Sequence, residues 1–133
     1  EILGNVTIID SKAFYNCSNL KSFTIPTTVE KIGYYAFYKC TGLITITIPA
    51  KVTSIGYNAF ESCYNLKTVF YSGIESPPNE TAIFNDTQVS RIYVTNEYKD
   101  KHFCGYPVGL VPTSSFSYSK EFSQSIFFSK IHR

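Results

Sequence analysis

One octapeptide is written three times in this chain. AFYNCSNL at residues 13–20 returns as AFYKCTGL at 36–43 and as AFESCYNL at 59–66, a constant step of 23. Twelve of the 23 positions agree between 13–35 and 36–58, without a gap. The third copy keeps Ala59, Phe60, Cys63, Leu66 and Val69, then drifts through SGIESPPNET. A fourth, partial copy is expected at the same step, with Ala82, Val89, Ile92 and Val94 under Ala59, Leu66, Val69 and Tyr71. Backwards, Val6 and Ile9 fall under Val29 and Ile32. The array is therefore expected to open in mid-repeat, as part of a longer array with further repeats before Glu1. No methionine occurs, which fits a processed chain or an excised fragment.

A 23-residue unit holds too little core to fold alone, but stacked units bury their apolar positions against one another. A period of about 20 to 29 residues with Leu-x-x-apolar-x-apolar marks a leucine-rich solenoid. Leu20, Phe23 and Ile25 alternate as a short strand does, with two faces at period two. Strands of successive coils are expected to lie parallel, about 4.8 Å apart. Pro26 and Pro49 end the strand, because proline has no N–H for the ladder. Val-x-x-Ile then forms the opposite wall, Gly33 and Gly56 allow a bend, and Ala-Phe begins a helical turn carrying the cysteine. The expected fold is a leucine-rich repeat solenoid, α/β in type but mostly β. It has about four coils of 23 residues and parallel short strands on the concave face. Its structural columns are Cys17, Cys40 and Cys63, then Leu20, Leu43 and Leu66, then Ile25 and Ile48.

The pattern A-F-x-x-C-x-x-L-x-x-[FI]-T-I-P-x-x-V-x-x-I-G resembles the BspA-like leucine-rich repeat, also called the Treponema pallidum type. The resemblance covers about residues 1–94, and IYVTNEYKDKHFCGYPV at 92–108 resembles the closing segment of such arrays. It implies a surface antigen-like, extracellular or cell-surface protein. It also implies adhesion to proteins of a host or a neighbouring cell. The expected organisation is a repeat domain over 1–106, closed by 95–106, followed by a Ser/Phe-rich tail or stalk over 107–133.

Cys17, Cys40 and Cys63 share one column at a spacing within disulfide reach, yet three members of one ladder cannot all pair. They are expected to act as small buried hydrophobes. Cys104 lies in the closing segment. A metal site is not expected: there is no C-x-x-C, and His102 and His132 lie far down the chain.

In such a solenoid the outward strand residues form two columns on the concave wall. One is Ser22, Thr45, Thr68 and Arg91; the other is Thr24, Thr47, Phe70 and Tyr93. Exposed Tyr, Phe and Arg side by side are the anchors that protein interfaces favour. The alternative is that the threonines simply suit a strand and that Phe70 and Tyr93 pack under the closing segment. Tyr34, Tyr35 and Tyr57 are half-exposed packing residues or further contacts.

The net charge of +2 on 133 residues comes without a basic stripe, which argues against nucleic acid. No apolar run reaches the roughly 20 residues of a membrane span, and residues 1–5 lack the basic and apolar parts of a signal peptide. Four N-x-S/T sequons begin at Asn5, Asn16, Asn79 and Asn85, with Asn79 placed in a loop by Pro77-Pro78. The ten carboxylates are dispersed, and no phosphate loop or nucleophile elbow occurs. His102 and Cys104 could share a strand face, but no orienting group accompanies them. The reading is a non-enzymatic module without a cofactor, binding a protein or a glycan through the concave sheet at a cell surface or after secretion. The alternatives are an intracellular interaction scaffold or a passive spacer stalk.

Overall fold

The computed structural model describes residues 5–78 and 82–111. The Asn79 sequon and the tail from residue 112 onward lie outside the described residues. The chain winds as a mostly-β solenoid of about four turns with two ladders. On one wall, β1 (Ile8–Ile9), β2 (Lys31–Ile32) and β4 (Ser54–Ile55) pair in parallel. Ile9 faces Ile32 and Ile32 faces Ile55, the 23-residue step of the sequence. On the other wall, β3 (Thr45–Ile48), β5 (Thr68–Tyr71), β6 (Ile92–Val94), β8 (Tyr106–Leu110) and β7 (His102–Phe103) form one sheet in that order. Every pairing there is parallel except β7 with β8.

The inward residues follow the expected columns. Ile25, Cys40, Leu43, Ile48, Cys63 and Leu66 are buried, while Cys17 and Leu20, in the first described coil, are partly covered. Phe14, Phe37, Phe60 and Phe84 stack along the axis, with centroids 5.2, 4.9 and 5.4 Å apart. This phenylalanine spine ties all four turns together.

The segment after Ala-Phe is not helical. Ala13, Tyr15 and Cys17 donate N–H bonds to the carbonyls three residues back. The residues between them donate to the next coil instead: Lys12 to Tyr34, Phe14 to Ala36 and Asn16 to Tyr38. Lys12 and Asn16 adopt φ of 62° and 61°, as do their equivalents in each later coil. A left-handed residue every fourth position turns alternate N–H groups out of the helical direction and toward the neighbour. The wall is thus a third ladder, built from tight turns.

The glycines also act otherwise than expected. Neither Gly33 nor Gly56 has a positive φ. A Cβ on Gly56 would sit 2.6 Å from the Tyr34 backbone nitrogen, and one on Gly33 would strike the Ser11 backbone. These positions need glycine because adjacent coils nearly touch there.

Two further expectations are corrected. Residues 21–26 are not in the ladder, although Ile25 is buried and Phe23 packs on Phe14 and Phe37. Between the second and third coils, Ser72 donates its N–H to the Ile48 carbonyl. The equivalent donor toward Ile25 would be Pro49, which has none. The fourth coil is also offset. Ala82 has φ 61° and matches Asn58 at 60°, while Ile83 and Phe84 fill the buried places of Ala59 and Phe60. The sequence between Tyr71 and Ala82 therefore carries one extra residue relative to the step of 23, and the step returns to 23 where Val69 faces Ile92.

The C-terminal end is closed by a hairpin. Cys104 and Gly105, at φ 47° and 86°, form its two-residue turn, the geometry that suits the twist of the flanking strands. Phe103 packs on Tyr71 at 4.7 Å and Tyr106 on Phe84 at 5.4 Å, covering the last coil. β8 runs across the expected 106/107 junction as far as Leu110.

Candidate functional site

The outward face of the five-stranded sheet is set by the pleat. Ile46 and Ile48 point into the core, so Thr45 and Thr47 point away. Register then places Thr68 beside Thr45, Phe70 beside Thr47 and Tyr93 beside Phe70. Arg91 lies next to Thr68, one residue before the paired Ile92. Thr45, Thr47, Thr68 and Tyr93 are half-buried, and Arg91 is exposed. Ser22 and Thr24 are exposed as well but stand on the unpaired segment. Phe70 is only 4% exposed, with its ring 5.8 Å from that of Tyr93. Its ring is packed, so the surface is carried by the hydroxyl columns, Tyr93 and Arg91.

β8 extends this face by one strand, which the sequence columns did not include. Gly109 pairs with Tyr93. A Cβ there would meet Arg91 Cδ at 3.1 Å and Tyr93 Cδ1 at 3.8 Å. The absent side chain leaves room for the Arg91 stem to pass over the strand. A glycine inside a strand was the available signal, since such glycines often mark a close approach.

The cysteine column has a polar role beside its packing role. Cys40 Sγ donates to the Phe14 carbonyl at 3.2 Å and Cys63 Sγ to the Phe37 carbonyl at 3.0 Å. The same carbonyls accept the backbone N–H of Cys17 and Cys40. All four cysteines are free thiols. The Cys63 thiol is pushed up by its hydrogen bond with Cys40 and by burial.

A second arrangement lies at the closing hairpin. Ser76, Pro77, Asp100, Lys101, His102, Cys104 and Gly105 line a depression of about 500 Å³. Its polar groups tie the hairpin to the third-coil loop. Asp100 accepts the Ser76 N–H at 3.1 Å, and Ser76 Oγ accepts the Cys104 N–H at 3.0 Å. Tyr98, raised to about 12 mainly by burial, donates its hydroxyl to the His102 carbonyl. Among the described residues no three His, Cys, Asp or Glu are grouped to hold a metal.

On the turn wall, Tyr34 stacks on Tyr57 at 4.4 Å and Tyr15 on Tyr38 at 4.8 Å. Lys12 and Lys39 lie over the Tyr15 and Tyr38 rings. Tyr34 and Tyr57 remain 47% and 42% exposed, so they pack along the axis and still face solvent.

Among the described residues no helix is long and apolar enough to cross a membrane. No curated protein and no solved structure matches the chain. A family model of the BspA-type leucine-rich repeat region matches residues 1–104, in six copies. Three in-register ladders, a cysteine column and that match over most of the sequence agree: the chain belongs to the BspA-type leucine-rich repeat family.

Proposed function

We propose that this chain is the interaction module of a cell-surface or secreted protein and binds a partner protein through the outward face of its five-stranded sheet. BspA-type repeats suggest a protein-interaction module, and solenoids of this kind typically act as scaffolds rather than catalysts. The observation that carries the reading is the register of that face. Thr45, Thr47, Thr68 and Tyr93 come from three strands into one surface, with Arg91 at the entry of the third. Hydroxyls supply adaptable hydrogen bonds, and an aromatic ring beside a guanidinium supplies the anchors that interfaces favour.

Panning a displayed peptide library against the chain tests the face. Thr47→Trp places a bulky ring at its centre without touching the core. Selected peptides should lose roughly tenfold or more in affinity for that variant. Peptides that bind Thr47→Trp as tightly as the unaltered chain would move the receptor surface elsewhere. Location is tested separately. A membrane-impermeant reagent applied to intact source cells should label the protein, and labelling only after lysis would overturn the surface assignment.

A further inference from the structure

The outward face has one sign of charge. The strands β3, β5, β6 and β8 with their entry residues, 43–49, 66–72, 89–95 and 106–111, contain Lys67 and Arg91, and the unpaired segment 20–26 adds Lys21; none of these segments holds an Asp or Glu. Ten carboxylates occur in the chain, so their absence from all five segments leaves a face with no internal counter-charge. Lys21, Lys67 and Arg91 are all exposed. The ion pair between Lys99 and Glu75 stands on the loops beyond the sheet. Lys21 and Lys67 sit where the chain runs into its strand positions, and Arg91 sits one residue before β6. Lys67 and Arg91 therefore stand at the entry edge of the sheet, Lys67 just before Thr68 in the chain and Arg91 beside Thr68 in register, while Lys21 stands on the unpaired segment of the first described coil.

Arg91 differs from the two lysines because its stem lies against the sheet. Its stem crosses Gly109, where a Cβ would lie 3.1 Å from Cδ and 3.6 Å from Nη1. The guanidinium therefore lies over the Gly109 position, and register puts Thr68 and Tyr93 beside Arg91. A planar fork of five donors fits a carboxylate in two-bond geometry, and holding it in place reduces the entropy lost on binding.

We infer that the outward face receives an acidic polypeptide segment, with Arg91, positioned by Gly109, anchoring one of its carboxylates. This deepens the proposed function and rests on its assignment of the binding face. Three cations spread over four coils are too sparse for a polysulfated chain, which calls for a dense basic cluster. They suit a polypeptide whose few carboxylates are separated by residues able to meet threonine hydroxyls and the Tyr93 ring. Oppositely signed surfaces steer encounter and suppress wrong partners, so the interaction should weaken with salt.

The test uses a labelled decapeptide of alternating Glu and Thr, its Gln-for-Glu counterpart, and heparin, each titrated at low and at physiological salt. The Glu peptide should bind roughly tenfold or more tightly than the Gln peptide, with the advantage falling as salt rises. Arg91→Gln should remove most of that advantage. Gly109→Val keeps every charge and should reduce it several-fold by lifting the Arg91 stem. Lys99→Gln, which deletes a cation already paired off the face, should leave it unchanged. Equal binding of the Glu and Gln peptides, or an Arg91→Gln variant that keeps the preference, overturns the inference. Heparin displacing the Glu peptide in an Arg91-dependent way and binding more tightly also overturns it, in favour of an anionic polysaccharide. Peptides from the panned library that lose affinity for Thr47→Trp but ignore Arg91→Gln would remove the acidic partner and leave the binding face standing.

Discussion

Cys63 shows how one side chain can serve packing and hydrogen bonding at once. It is fully buried, and its thiol meets the Phe37 carbonyl that also accepts the Cys40 N–H. A carbonyl has two lone pairs, and the turn ladder uses one for its own coil and one for the next. Serine would supply the donor but with a strongly hydrated hydroxyl, and alanine would leave a small void. Cysteine is apolar enough for the site and still donates. Because the hydrogen bond with Cys40 and burial raise the pKa of Cys63, the folded state favours the neutral thiol. The stability it contributes is fully present below the ordinary thiol value of about 8.5. Above it the unfolded chain ionises at this site while the folded one keeps its proton, so the Cys63 contribution falls with rising pH, by up to about 1.4 kcal/mol per pH unit. Cys40, whose thiol the hydrogen bond with Cys63 pulls down, contributes in the opposite sense. Two results are expected. Between pH 8 and pH 10 the stability advantage of the unaltered chain over a Cys63→Ala variant, read from the urea midpoints, should shrink. In pulse alkylation of the folded protein, half-buried Cys17 should react well before Cys63, which should wait for unfolding. Equal alkylation rates would mean that the column is open to solvent.

Among the elements, the turn wall was the least legible in the sequence. Left-handed residues are normally announced by glycine or asparagine, and here they are Lys12, Tyr35, Lys39, Ser62 and Ala82 as well as asparagines. Lys12, Tyr35, Lys39 and Ser62 are held there by their N–H bonds to the next coil, and composition gives no sign of it. The same blindness produced the one-residue error in the fourth coil. A constant step of 23 put Ala82 under the buried Ala59, whereas the structure leaves Ala82 exposed at the Asn58 position. Ala82→Gly separates the two placements. At φ 61° an L-residue costs roughly 1–2 kcal/mol, while glycine in a free chain loses about 0.5–1 kcal/mol more entropy on folding. The net expectation is a gain of up to about 1 kcal/mol, read as a higher melting temperature. At the buried Ala59 position the same change would lower it. The strands were far easier to read, because period two and the 23-residue step together fix both face and register. Thr47 beside Phe70 beside Tyr93 was readable for that reason. The burial of Phe70 was readable only as the alternative that it packs under the closing segment, since alternation tells which way a side chain points and says nothing of what lies across it.

At the scale of the whole molecule, a solenoid has no single core, and its stability is close to a sum of coils and the interfaces between them. The last interface is then decisive, because the final coil has a neighbour on one side only. The β7–β8 hairpin supplies the missing one: Phe103 is fully buried against Tyr71, and Tyr106 meets the edge of Phe84. Phe84 is the last described member of its column, and Tyr71 stands one coil back, paired with Val94. Phe103→Ala should therefore cost about 3–5 kcal/mol, the range for removing a fully buried phenylalanine. The loss should also be uneven. Hydrogen exchange should speed up first at β8, β6 and the fourth-coil turns around Phe84, then at β5, while β2 and β4 keep their protection longest. A globule with one shared core would instead lose protection everywhere together. Uniform acceleration along the chain would show that the four coils fold as one cooperative unit and that the hairpin is more than an end cap.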